Sequence, residues 1–147
     1  MKALVQRVAS ASVEAEGRTA GSIEKGILLF LGVEKGDTVK DLEYLLNKVT
    51  SLRIFSDSDG RMNLSVRDIE GSILVVSQFT LSSDCKKGNR PSFDRAESPE
   101  RAREFYELFV AGLREAAIPV QTGCFGGSMK VSLVNDGPVT FMIDSVA

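Results

Sequence analysis

The run Ile73-Leu74-Val75-Val76 constrains this chain more than any other stretch. It is short, continuously apolar and rich in β-branched residues, the composition of a strand buried on both faces. It passes directly into Ser77-Gln78-Phe79-Thr80, which sets two hydroxyls, an amide and an aromatic ring at the end of a core strand. A purely structural strand has no need of that mixture. The chain then leaves regular structure from Ser82 to Phe93, a loop that carries Lys86, Lys87, Gly88 and Arg90. A rigid strand delivering polar groups to the mouth of a basic loop is a place for a site.

The rest of the chain reads as support for that strand. Lys2 to Ala9 alternates as a strand, with Leu4 and Gln6 on one face and Val5 and Arg7 on the other. Ser10 to Ala15 reads as a second strand and Thr19 to Ile23 as a third, with Glu16-Gly17-Arg18 turning between them. Ile27 to Val33 is too apolar for an edge and reads as a central strand. Leu42, Leu45, Leu46, Val49 and Leu52 recur at helical spacing and predict an amphipathic helix over about 38–51, capped by Asp37 or Thr38. Leu52 to Phe55 and Asn63 to Val66 are short extended pieces. Ser98-Pro99-Glu100 sets a serine cap, a first-turn proline and an acid at a second helix start. That helix buries Ala102, Phe105, Tyr106, Phe109, Leu113 and Ala116, and it ends before Ile118-Pro119. Val120 to Thr122, Met129 to Val134 and Val139 to Ser145 read as closing strands. The expected fold is α+β: one domain over residues 1–147, a largely antiparallel or mixed sheet with two main helices packed on it.

Several classes of function are excluded by what the chain lacks. It has 147 residues and no histidine, so a Ser-His-Asp triad, a Cys-His pair and a histidine metal site are all ruled out. Any hydrolysis here must move protons through carboxylates, backbone groups, water or the substrate. Cys85 and Cys124 form no zinc-type spacing and read as two reduced thiols. No metal and no cofactor is expected. The net charge of −2 provides no global field for nucleic acid, so an RNA partner would meet a local patch. No apolar run reaches the roughly 18 residues of a membrane helix, and the first residues carry no secretion signal. Cytoplasmic residence is therefore the expectation.

Each candidate motif has a plain reading beside a functional one. Asp57-Ser58-Asp59-Gly60 has the look of a calcium loop but lacks the remaining ligands, and it reads as a turn. Asn135-Asp136-Gly137-Pro138 reads as a tight turn between two strands, although an X-Pro bond is also where a cis peptide is cheap and can present backbone acceptors outwards. Lys86, Lys87, Arg90 and Arg95, with Phe93 among them, are either a solvated loop or phosphate contacts with a ring to stack. Thr80 either attacks or holds a water or substrate group. A hydroxyl nucleophile needs an adjacent base, and none is visible.

Taken together, these motifs resemble one family closely, the D-aminoacyl-tRNA deacylases. The resemblance is carried by Leu52-Arg53-Ile54-Phe55, Ser77-Gln78-Phe79-Thr80-Leu81, Gly88 to Phe93, Gly123-Cys124-Phe125-Gly126 and Asn135-Asp136-Gly137-Pro138-Val139-Thr140. It runs from the first strand to the last, and the pairing of SQFTL with NDGPVT is its most specific part. Gly127-Ser128 departs from the pattern without touching either motif.

The resemblance implies a homodimer that hydrolyses the ester between a D-amino acid and the 3′ end of tRNA, with no membrane or DNA partner. It implies that Gly137-Pro138, in cis, enters the other subunit's pocket, where backbone carbonyls hold the substrate's α-amino group. L-residues are then rejected by exclusion, while glycine, including glycine mischarged on tRNA-Ala, passes. It places Ser77, Gln78, Phe79 and Thr80 around the terminal adenosine and the scissile ester, with amides near Gln78 and Phe79 facing the oxyanion. Arg7 braces the turn, and Lys86, Lys87 and Arg90 bind the tRNA end. With no base in view, the tRNA's own 2′-hydroxyl is expected to assist a water, in preference to Thr80 attacking. Two alternatives stand beside this reading: a non-catalytic module that binds tRNA ends through the basic loop, and an esterase for small D-amino-acid esters.

Overall fold

In the computed structural model, which describes residues 1–146, β1 (Lys2–Ala15), β2 (Arg18–Ile23) and β3 (Gly26–Gly32) open the chain. They are followed by α1 (Val39–Ser51), the small β4 (Phe55–Ser56) and β5 (Met62–Leu64) pair, and β6 (Ser72–Ser77). A 3-10 turn (Phe79–Ser82), α2 (Pro99–Glu115), β7 (Val120–Thr122) and β8 (Met129–Asp144) complete it. The expected architecture holds: one mixed sheet with two helices packed on it.

β1 organises the sheet. β8 runs antiparallel along nearly its whole length, from Lys2↔Asp144 to Ala15↔Met129. β3 pairs with its first half and β2 with its second. β6 joins β3 in parallel and β7 joins β6 in parallel. Parallel neighbours need a long crossover, which α1 and then α2 provide. The sheet curls until β2 meets β7. A Cβ on Gly21 would lie 2.6 Å from the Thr122 carbonyl oxygen, so only glycine permits this close approach.

The double burial expected of Ile73–Val76 is present, and β3 shares it. Ile27, Leu29, Leu31, Ile73 and Val75 face the helices and pack with Leu45, Val49, Phe109 and Leu113. Leu28, Leu74 and Val76 face the inside of the curled sheet, with Val8, Val13 and Ile23. α1 begins at the cap Thr38, whose amide donates to the Asp41 carboxylate at 2.8 Å. α2 begins with Ser98 as cap and Pro99 in the first turn, as the sequence predicts.

Three local readings are corrected. Lys2–Ala9 and Ser10–Ala15 are one strand, β1, interrupted by register shifts around Val8. The shift changes which parity faces inwards: Ala3 and Val5 join the helix-side core, and Val8 with Ala11 and Val13 joins the other. Met129–Val134 and Val139–Ser145 are likewise one strand, β8, with both arms paired to β1 in the same direction. Asn135 to Pro138 is therefore an extrusion from a single strand, not a hairpin turn. Finally, β6 stops at Ser77, and Gln78 caps the 3-10 turn that carries Phe79 and Thr80.

Candidate active site

β3 and β6 end together. The Gln78 amide donates to the Leu31 carbonyl at 2.8 Å, and there the chain breaks from the sheet. The 3-10 turn that follows holds Thr80 half-buried and leaves the Phe79 ring 58% exposed. Gln78 Nε2 donates a short hydrogen bond to Thr80 Oγ1. One lone pair of that hydroxyl is thus engaged by a donor, and no base stands against it among the described hydrogen bonds. The Phe79 and Thr80 amides, first in the 3-10 turn, have no backbone acceptor among the described residues.

Beside this turn lies a cavity of about 480 Å³. Leu31, Val76, Met129 and Val131 line it together with Phe125, Tyr106, Gln78 and Phe79. It is mostly apolar with a few polar groups, the usual character of a small-ligand site. The Tyr106 hydroxyl donates to the Val75 carbonyl at 2.9 Å, and burial pushes its pKa up to about 12. At ordinary pH it is a fixed donor. Glu97 also reaches the cavity. Its carboxylate accepts from the Ser98 amide at 2.8 Å and pairs with Arg101 at 3.2 Å.

The basic loop is tied to the same end. An antiparallel bridge joins Asp84 to Ser92 at its base. Phe93 packs edge-on against Phe79 with ring centroids 5.1 Å apart. Lys86, Lys87, Arg90 and Arg95 are all exposed, and none forms an ion pair with another described residue.

The other predicted residues gather elsewhere. The Gly137–Pro138 peptide is cis, and Gly137 has φ 141°. A Cβ on Gly137 would lie 2.6 Å from Val139 Cγ2 and 2.9 Å from the Val139 nitrogen. Arg7 braces the turn: Nε donates to the Asp136 carbonyl at 2.9 Å while Nη1 donates to the Ile54 carbonyl at 2.8 Å. Within β3, Arg7 pairs with Ile27 and Ala3 with Leu31. The turn and the Gln78 end therefore stand about 13 Å apart along the strand, at about 3.3 Å rise per residue.

So the structure brings Ser77, Gln78, Phe79 and Thr80 together with the Lys86, Lys87 and Arg90 loop, and separately Arg7 with Gly137 and Pro138. It does not bring the two groups together within one chain. Sequence reasoning assigned no role to Glu97, Phe125 or the Asn135 side chain, and read Tyr106 as core. Tyr106 is indeed buried, yet it also lines the cavity. Asp57 is a turn residue as expected, its carboxylate accepting from the Asp59 and Arg61 amides and from Asn63. Among the described residues, no cluster of three acidic or cysteine side chains could hold a metal. No described helix is long and apolar enough to cross a membrane.

Residues 4–144 match the model of the D-Tyr-tRNA(Tyr) deacylase family. A D-aminoacyl-tRNA deacylase of Geotalea uraniireducens is 57% identical over 145 residues, covering 99% of this chain and 94% of its own. The enzyme of that name from Thermotoga petrophila is 55% identical, covering 99% and 97%. Among solved structures, the c-Myc DNA Unwinding Element Binding Protein is 43% identical and superimposes with a TM-score of 0.95 over the whole of both chains. A probable eukaryotic D-amino acid tRNA deacylase superimposes with a TM-score of 0.81 at 17% identity, over 97% of this chain and 98% of its own, a likeness of fold alone.

Proposed function

The chain belongs to the D-Tyr-tRNA(Tyr) deacylase family, and from that premise we propose that it hydrolyses the ester linking a D-amino acid to the 3′ end of tRNA. The observation that carries this reading is the likeness to curated deacylases along 99% of the chain. The site residues support it chemically. The 3′-terminal adenosine enters the cavity beside Phe79, and the exposed cations Lys86, Lys87 and Arg90 meet the phosphates that precede it. The ester lies over the 3-10 turn. Its developing oxyanion is held by the Phe79 and Thr80 amides, because the Gln78 amide already serves Leu31.

Thr80 orients the substrate and does not attack. Its oxygen accepts from Gln78, and no base is hydrogen-bonded to it among the described residues. The attacking group is a water, assisted by the ribose 2′-hydroxyl of the tRNA, which DNA lacks.

The Gly137–Pro138 turn is the chiral filter, and it is supplied by a second copy of the chain. Its distance from the Gln78 end along β3 supports this, and so does the surface that carries it. Leu133, Val134, Phe141 and Met142 of β8 are all exposed, and β8 pairs only with β1 among the described strands. Exposed apolar side chains along an open edge strand are what a two-fold interface covers. Backbone carbonyls of the turn fix the α-amino group so that an L side chain meets protein while a D side chain points to solvent. Glycine, having no side chain, passes, including glycine mischarged on tRNA-Ala.

Single-turnover deacylation of matched D- and L-tyrosyl-tRNA, with a chelator present, tests the reading. The expected result is rapid loss of the D-ester with the L-ester spared. Equal loss of both makes the protein a general esterase. Binding of tRNA with no loss of either makes it a module that recognises tRNA ends.

A further inference from the structure

Asn135 stands at the neck of the extruded turn. β1 and β8 pair at Val8↔Asn135 and again at Gln6↔Thr140. Between those pairs β1 supplies only Arg7, whereas β8 supplies Asp136, Gly137, Pro138 and Val139. The ladder is broken, and the Arg7 carbonyl has lost its backbone partner on β8.

The Asn135 side chain fills the gap. Its Nδ2 donates to the Arg7 carbonyl at 3.0 Å and to the Val139 carbonyl at 3.0 Å. A primary amide has two hydrogens, and both are used. One side chain thus ties the foot of the turn's outgoing arm to the foot of its returning arm, and ties both to β1. Arg7 is held from two sides: its carbonyl by Asn135, and its guanidinium through the Asp136 and Ile54 carbonyls. The Thr140 hydroxyl lies 3.5 Å from Asn135 Oδ1 and takes a hydrogen bond from Gln6 Nε2 at 3.3 Å, which orients the amide with its NH₂ towards the two carbonyls. Val139 is buried and anchors the returning arm by packing, whereas Gly137 and Pro138 at the tip are exposed.

We propose that Asn135 is a positioning residue that sets the aim of the Gly137–Pro138 turn and, through it, the D-to-L selectivity of deacylation. This rests on the functional reading above. Asparagine is the residue this neck requires. Aspartate has the same shape but would press a carboxylate against two carbonyl oxygens. Glutamine carries the amide on a stem one methylene longer. Backbone specificity of this kind tolerates little displacement, since a shift of about 1 Å at a reacting group can cost about 10²-fold in rate.

The test compares wild type with Asn135→Asp, and with Asn135→Ala as a second variant that adds no charge. Two readouts are taken: hydrogen exchange of the Gly137 and Val139 amides, and single-turnover rates on D- and L-tyrosyl-tRNA. Faster exchange at these amides is expected, together with a D-to-L rate ratio lowered by about tenfold or more. A general loss of stability would slow both esters together and leave the ratio alone. Unchanged exchange in both folded variants overturns the clamp itself. Faster exchange with an unchanged rate ratio overturns its role in selectivity. A wild type inactive on both esters defeats the functional reading, while the exchange comparison still decides whether Asn135 holds the turn.

Discussion

The two ends of β3 present opposite solutions to the same problem, how to hold a polar group still. At the Leu31 end, Gln78 and Thr80 sit on a turn propped against two packed cores, and the cavity beside them is walled by Tyr106 and Phe125. At the Ile27 end, Gly137 and Pro138 stand out from the surface, and polar contacts from Arg7 and Asn135 hold them. Packing holds the first end through many individually small contacts. The second depends on a handful of hydrogen bonds and one glycine. Small changes should therefore cost more at the turn than at the pocket, although the pocket is much larger.

Gly137→Ala gives the sharpest break. Its added methyl collides with Val139, at a φ of 141° that only glycine adopts readily. D-ester turnover should fall by about 10²-fold, while uncharged tRNA still binds, since the pocket end is untouched. Loss of tRNA binding in a folded variant would erase the distinction between the two ends.

Phe79→Ala attacks the pocket end. The ring is exposed, so melting temperature should hold. Loss of base stacking should weaken tRNA binding by about 1–3 kcal/mol, seen in titrations with uncharged tRNA. Mixing the Gly137→Ala and Phe79→Ala chains then asks whether the two ends belong to different copies. Random exchange pairs an intact pocket with an intact turn in one site of each mixed dimer, restoring about a quarter of wild-type turnover. No recovery after demonstrated exchange would put both ends in one chain.

Thr80→Ala should cost less, within about tenfold in single-turnover rate, the worth of one hydrogen bond. Complete loss of turnover, with fold and tRNA binding intact, would return Thr80 to the role of nucleophile. Tyr106→Phe should have the smallest effect, about 1 kcal/mol in denaturant unfolding, because the Val75 carbonyl keeps its bond from the Gly123 amide at 3.1 Å. A loss well beyond this would make the cavity wall as fragile as the turn.

The same contrast explains what could be read from the sequence. The pocket end announced itself, because a buried strand has a composition and the polar residues that end it interrupt that composition. Both helices were legible from their spacing and their starts. The turn end was legible as a motif but not as a shape. Alternation in β1 stumbles where the register shifts near Val8 and changes the inward-facing parity, so one bent strand looks like two. Asn-Asp-Gly-Pro has the residues of a hairpin. Only the pairing of Val134 with Ser10 and of Thr140 with Gln6 reveals that the chain continues in its old direction. Asn135 gave no signal of its own, since an asparagine that replaces a missing ladder bond looks like any turn asparagine. The separation of Arg7 from Gln78 follows from strand register, which no local pattern records.

The pairing of β1 with β8 also orders events during synthesis. Among the described strands these leave the ribosome first and last, and elongation at about 5–20 residues per second separates them by several seconds. For that interval β1 has one open edge, and the cavity lacks the lining that Met129 and Val131 of β8 supply. A chain released before β8 has all of Gln78, Phe79 and Thr80 but neither Asn135 nor Gly137. On the proposed reading, such a truncated product lacks both part of its cavity lining and the turn that tells one hand of amino acid from the other.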